Sequence, residues 1–189
     1  MTTKLKSAEH LEEVEVNKLL KYLQQNEIWT YYILVRLGIS TALRYSDLSQ
    51  ITWRDLLKQN KLIIKEKKTR RTREIPLGPE LIQNLTNVYL KQGSPEPSAR
   101  IINITIRGVN KQLKIYAAKC GIRNKRISSH SLRKTFGREV WKRNNYSEAS
   151  LVKLSQLFRH SSTSITRIYL SITKEEVDNL YDIQDLFIY

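Results

Sequence analysis

Several residues in this chain have the types and spacing to act on a phosphate group. His130 lies three positions before Arg133, so on a helix the two side chains share one face. Arg44 stands three residues before Asp47, and His160 is followed by Ser161, Ser162 and, nine residues on, Tyr169. A guanidinium keeps its charge and offers a planar fork that fits phosphate oxygens, while an imidazole can move a proton near neutrality. A tyrosine hydroxyl becomes a nucleophile once a base removes its proton.

The composition fits a polyanionic partner. The 189 residues include 33 Lys+Arg against 18 Asp+Glu, a net charge of +15, and 40% hydrophobic residues, enough for an ordinary globular core. Nucleic acid is the natural partner, although ribosomal and membrane-surface proteins are as basic, so charge names only a class. Cys120 is the single cysteine, which excludes an internal disulfide, and the Cys/His clusters of zinc sites are missing from the sequence. Metal and cofactor are therefore not expected. A reducing compartment, the cytoplasm, is, since no apolar run approaches the ~20 residues of a membrane span and Met1 to Ser7 lacks the core of a signal peptide.

The elements that must position these residues follow from periodicity. Val16, Leu19, Leu20 and Leu23 predict one amphipathic helix, and Trp29, Tyr32, Ile33 and Leu37 a second, ended by Gly38. Ser46 reads as the N-cap of a short helix from Asp47 to Ile51. Leu62 to Leu77 reads as a β-hairpin with its tip at Lys67 to Thr72, and Pro79 opens a helix carrying Leu81, Ile82, Leu85, Val88 and Tyr89. Gly93 to Pro97 is a loop. Val109, Leu113, Tyr116 and Ala117 mark the next helix, up to Gly121, and Leu132, Phe136 and Val140 another. Ser147 caps a helix with Leu151, Leu154, Leu157 and Phe158 inward; a short helix then holds Ile165, Ile168 and Tyr169. Thr173 and Glu176 form a capping box for a last helix with Val177, Leu180 and Tyr181. Trp53 and Trp141 belong to the core, Trp29 packs between helices, and His10 is an ordinary structural or exposed histidine.

Basic residues cluster on this map. Lys58 to Arg73 holds eight Lys/Arg and one acid, Glu66, and Arg123 to Arg143 holds eight and one acid, Glu139; Thr173 to Tyr189 carries five acids and only Lys174. A hairpin and a helix start thus form the walls of a DNA-sized cleft, with Lys65, Lys67, Arg70, Arg71, Arg73, Arg123, Lys125, Arg126 and Lys134 as contacts to the DNA backbone.

Four segments, in order, resemble the tyrosine recombinase, or phage integrase, family. Thr41-Ala42-Leu43-Arg44-Tyr45-Ser46-Asp47-Leu48 is similar to its T-G-L-R-x-S-E-L box, with Ala42 in place of glycine. Lys68 stands eight residues before Pro76, as the family's catalytic lysine does before its I-P-L strand, with Lys67 the alternative if the register shifts. His130-Ser131-Leu132-Arg133-Lys134-Thr135-Phe136 resembles H-x-L-R-H-T-F, and Leu157-Phe158-Arg159-His160-Ser161-Ser162, continuing to Tyr169, resembles L-L-G-H-S-S and the tyrosine, with Arg159 replacing glycine. Each box alone is weak; the ordered set across residues 41 to 169 is specific.

The resemblance implies DNA strand cleavage and rejoining. Attack on a phosphodiester builds charge on the non-bridging oxygens, which Arg44 and Arg133 would meet, aided by backbone N–H groups at the helix start beside His130. Tyr169 would be the nucleophile, joined to the 3′ phosphate. Lys68 would protonate the leaving 5′ oxygen, His130 assist removal of the tyrosine proton, His160 donate to a phosphate oxygen and Asp47 orient its neighbours. On one straight helix, His160 and Tyr169 would point to opposite sides ~13 Å apart, so a break at Ser161-Ser162 is required.

The implied fold is mainly α with a small antiparallel β-sheet (α+β), a single catalytic domain over 1–189, without the N-terminal helical DNA-clamping domain that most integrases carry. Implied partners are double-stranded DNA and other recombinase protomers, a tetramer on paired sites and a monomer without DNA, with no membrane. The apolar, acidic tail, with Ile183, Leu186 and Phe187, is expected to dock on a neighbouring protomer or to pack on its own domain. Competing readings are a catalytically silent DNA-binding regulator and a type IB topoisomerase-like enzyme that relaxes DNA.

Overall fold

The computed structural model describes residues 7–57, 60–173 and 176. The chain divides into two compact units, Met1–Phe136 and Gly137–Tyr189.

The first unit opens with α1 (Glu13–Gln25) and α2 (Trp29–Thr41), then two single-turn helices, α3 (Tyr45–Leu48) and α4 (Trp53–Leu56). The strands β1 (Lys61–Lys65) and β2 (Thr72–Pro76) follow, then α5 (Pro79–Lys91) and α6 (Ile106–Lys119). The helix α7 (Ser129–Arg143) runs across the division. The buried positions of α1 are Val16, Leu19, Leu20 and Leu23, the stripe expected from the sequence. They pack on α2 and α6 in one apolar core that also takes in Leu43, Leu48, Trp53 and Leu132.

Two predicted boundaries move. The second helix does not stop at Gly38 but continues to Thr41, and Ala42 takes the left-handed conformation at φ 55°. Gly38 serves packing instead, because a Cβ there would lie 2.8 Å from the Leu132 Cβ. Ser46 is not an N-cap: the short helix is Tyr45–Leu48, with Arg44 in extended backbone at the capping position.

The hairpin is antiparallel, with Leu62 opposite Ile75 and Ile64 opposite Arg73, and its strands place Leu62, Ile64 and Ile75 inward. Residues 66–71 form the turn, one residue earlier than the expected tip at Lys67 to Thr72, because Thr72 pairs with Lys65.

The second unit contains the last part of α7 with α8 (Glu148–Phe158) and α9 (Thr163–Leu170), and α8 packs on α9. Trp141, Leu151, Leu154, Phe158 and Leu170 are buried. Ser147 caps α8 by accepting from the Ser150 N–H at 3.3 Å. Arg159, left-handed at φ 58°, ends it, and Ser162 caps α9 by accepting from the Ile165 N–H at 3.3 Å. The Thr173 N–H donates to Glu176 at 2.9 Å and the Glu176 N–H to Thr173 Oγ1 at 3.2 Å, the reciprocal pair expected at a helix start. The helix expected beyond, with Val177, Leu180 and Tyr181, and the docking tail lie outside the described residues. Among the described residues no helix is long and apolar enough to cross a membrane.

Candidate active site

In the first unit, Arg44, half-buried, stands at the N-terminal cap of the short α3, at the end of the 42–44 loop that follows α2. Arg133, one turn into α7 and 3% exposed, donates to the Ala42 carbonyl of that loop. His130 sits in the first turn of α7. Although exposed to solvent overall, it titrates below the ordinary imidazole value: crowding by the surrounding protein disfavours its charged form, and the positive charges of Arg133, Arg44 and Lys134 add to this. Arg44, His130 and Arg133 therefore form one electropositive cluster around an imidazole biased towards neutrality.

The first-turn amides of α7 are occupied. The Ser129 N–H donates to Asn110 Oδ1 at 2.8 Å, the His130 N–H to Ser128 Oγ at 3.2 Å and the Ser131 N–H to the Ser128 carbonyl at 2.9 Å. An anion at this end would therefore meet side-chain forks rather than the backbone N–H groups expected beside His130.

Lys68 is exposed in the hairpin turn. The turn is tied to the arginine loop by Asp47, 0% exposed, whose Oδ1 accepts from the Lys67 N–H at 2.9 Å. Asp47 thus contacts the lysine segment as an orienting residue would.

In the second unit, the break between α8 and α9 brings His160 and Tyr169 together, with ring centroids 5.1 Å apart at 68°. Phe158 packs against both rings, at 5.4 Å from His160 and 5.3 Å from Tyr169. His160 Nδ1 is hydrogen-bonded to Thr166 Oγ1 at 3.0 Å. Thr166 was missed in the sequence, although its place three residues before Tyr169 puts it on the same face of α9.

Of the expected DNA contacts, Lys65, Lys67, Arg70, Arg71 and Arg123 are exposed. Four have protein partners, Arg126 among them although it stays exposed. Arg73 donates to the Thr41 carbonyl at 3.0 Å and pairs with Glu66. Lys125 pairs with Glu15 at 2.6 Å and Arg126 with Glu9 at 3.1 Å, while Lys134, 2% exposed, donates to Ser7 Oγ at 3.2 Å. A lysine so buried does not reach a DNA phosphate; its ammonium falls below the usual lysine range, chiefly through burial. Acids more than a hundred residues earlier claim Lys125 and Arg126, a pairing that no local pattern reveals. Among the described residues, no group of three or more His, Cys, Asp or Glu could hold a metal ion.

A helical domain with a small antiparallel hairpin, an Arg–His–Arg cluster and a histidine-flanked tyrosine defines the catalytic-domain class of tyrosine recombinases. Residues 9–176 match the model of the phage integrase family, and the chain belongs to that family. It is 29% identical over 189 residues to "Probable integrase/recombinase YoeC" of Bacillus subtilis (strain 168), covering 95% of this chain and 94% of that one. It is 28% identical over 153 residues to the tyrosine recombinase XerD of Yersinia pestis, covering 75% of this chain and 50% of that protein, so it spans half the length of this second relative. Among solved structures, the XerH site-specific recombinase in a post-cleavage complex with its palindromic difH substrate superposes with a TM-score of 0.72 at 19% identity, over 98% of this chain and 56% of that one. The catalytic domain of bacteriophage HP1 integrase gives 0.61 at 18% identity, over 95% and 97%.

Proposed function

We propose that this chain cleaves and rejoins DNA strands at specific sites through a covalent phosphotyrosine at Tyr169. Arg44 and Arg133 hold the scissile phosphate and meet the charge that grows on its non-bridging oxygens. His130, held neutral, assists removal of the Tyr169 proton, and His160 donates to a phosphate oxygen. The tyrosine oxygen bonds to phosphorus as the P–O bond to the 5′ oxygen breaks, and Lys68 supplies that oxygen's proton. The phosphotyrosine keeps the bond energy, so a 5′ hydroxyl of a second strand reverses the step without ATP. Double-stranded DNA and further copies of the recombinase, four on a pair of sites, are the partners of this cycle. The exposed hairpin cations Lys65, Lys67, Arg70 and Arg71, with Arg123, are contacts to the DNA backbone.

The observation that carries the reading is the helix break that sets the Tyr169 ring 5.1 Å from His160. A nicked suicide substrate, which loses its leaving fragment on cleavage, tests it. The wild-type chain should become covalently attached, and Tyr169→Phe should bind the same DNA yet form no adduct. An adduct that persists in the variant and maps to another tyrosine overturns the assignment.

A further inference from the structure

Glu66 is the single acid between Lys58 and Arg73, and the chemistry above gives it no task. It is 1% exposed, immediately before Lys67 and Lys68. Its carboxylate accepts from the Thr69 hydroxyl at 2.7 Å and faces the Arg73 guanidinium at 3.5 Å. Its main chain closes the turn: the Glu66 N–H donates to the Arg71 carbonyl at 2.9 Å, and the Arg70 N–H to the Glu66 carbonyl at 2.9 Å. Arg73 in turn donates to the Thr41 carbonyl at 3.0 Å, next to the Ala42 carbonyl that accepts from Arg133. Lys68 is thus bracketed, with Thr69 held by Glu66 on one side and the Lys67 N–H held by Asp47 on the other.

We infer that Glu66 is a positioning residue for the Lys68 ammonium, and that the Glu66–Arg73 pair ties the lysine turn to the loop that presents Arg44 and whose Ala42 carbonyl accepts from Arg133. This rests on the reading of Lys68 as the proton donor to the leaving oxygen. An exposed turn with a long side chain populates many geometries, and misplacement by about 1 Å costs a donor much of its effect. A buried carboxylate persists there because Arg73 and the Thr69 hydroxyl compensate its charge.

The test separates positioning from folding by changing the leaving atom. Cleavage of a normal phosphodiester expels an alkoxide that needs a proton, whereas a 5′-bridging phosphorothiolate expels a thiolate that leaves without one. Single-turnover covalent attachment would be measured on both substrates for wild type, Lys68→Ala, Glu66→Gln and Thr69→Val. Thr69→Val keeps the buried Glu66–Arg73 pair, so it serves if Glu66→Gln unfolds. The expected result is that all three variants lose about tenfold or more on the normal substrate with unchanged DNA affinity, and recover most of it on the sulfur substrate. If Lys68→Ala is rescued but the folded Glu66→Gln, or Thr69→Val in its place, is slowed equally on both substrates or on neither, the positioning role is overturned alone. If Lys68→Ala is itself not rescued, Lys68 is not the acid, and the proton-donor reading fails together with the inference.

Discussion

At the scale of single residues, the site is governed by what surrounds each titratable group. His130 is pushed below the ordinary imidazole value of 6.5 by crowding first, then by Arg133, Arg44 and Lys134. The unfolded chain, with its ordinary imidazole, therefore takes up a proton before the folded one, so this residue erodes stability as pH falls from about 6.5 through the depressed folded value. In single-turnover cleavage the acid limb should lie below pH 6.5, because the neutral ring persists there. Lys134→Met removes one positive charge and replaces a buried ammonium with a side chain of similar shape, so the fold should survive. The His130 midpoint, followed by NMR of its ring protons, should then rise; a wild-type midpoint at or above 6.5 would contradict the cluster. The candidate residues could be picked out because a fixed set of side-chain types at fixed spacings survives in the linear sequence. Burial does not. Lys134 and Arg73 look like surface cations in a basic run, and only the fold shows that Ser7, Glu66 and Thr41 claim them.

At the scale of elements, places without side chains, and places that ought to lack them, decide how the helices end and meet. The break that joins His160 to Tyr169 was readable, since paired serines favour caps over helix interiors. The end of α2 was misread because glycine is also what a close helix approach selects: Gly38 faces Leu132 rather than stopping the helix. Gly38→Ala should therefore cost about 1–3 kcal/mol, seen as a lower urea midpoint. In the second unit a Cβ on Gly137 would fall 2.6 Å from Leu170 Cδ2 and 2.9 Å from Phe158 Cζ. Because Phe158 packs on both His160 and Tyr169, Gly137→Ala should lower the cleavage rate as well as stability, a combination absent if the ring cluster is irrelevant to catalysis. Conversely, Ala42 at φ 55° and Arg159 at φ 58° occupy left-handed backbone where the resembling boxes have glycine. Arg159→Gly, at an exposed position, should leave the fold unchanged and raise stability by about 0.5–1 kcal/mol in calorimetry, and a loss would show that its side chain holds a contact worth more than the strain.

At the scale of the whole molecule, a charge of +15 does not translate into an equal number of phosphate contacts. The clasp between the N-terminal segment and the lead into α7, with Glu15 on Lys125 and Glu9 on Arg126, neutralises cations that the sequence assigned to DNA. Burial alone would raise the Glu15 carboxyl, but bonding to Lys125 and to the Glu12 N–H outweighs it and holds the group below its ordinary value, so the pair is charged at neutral pH. Of the cations assigned to DNA, the exposed ones are concentrated on the hairpin, Lys65, Lys67, Arg70 and Arg71, with Arg123 and the Glu9-paired Arg126 outside it. If roughly six phosphates are neutralised, affinity should fall by about 10³ between about 50 and 200 mM salt. Substituting Lys67, Arg70 or Arg71 by glutamine should each reduce the slope of log affinity against log salt by about one. Lys125→Gln should leave that slope alone, because its ammonium already has a carboxylate partner and releases no counterion on binding. A filter-binding titration in which Lys125→Gln flattens the slope as much as Arg70→Gln would mean that DNA displaces Glu15, and that the clasp opens when the recombinase engages its site.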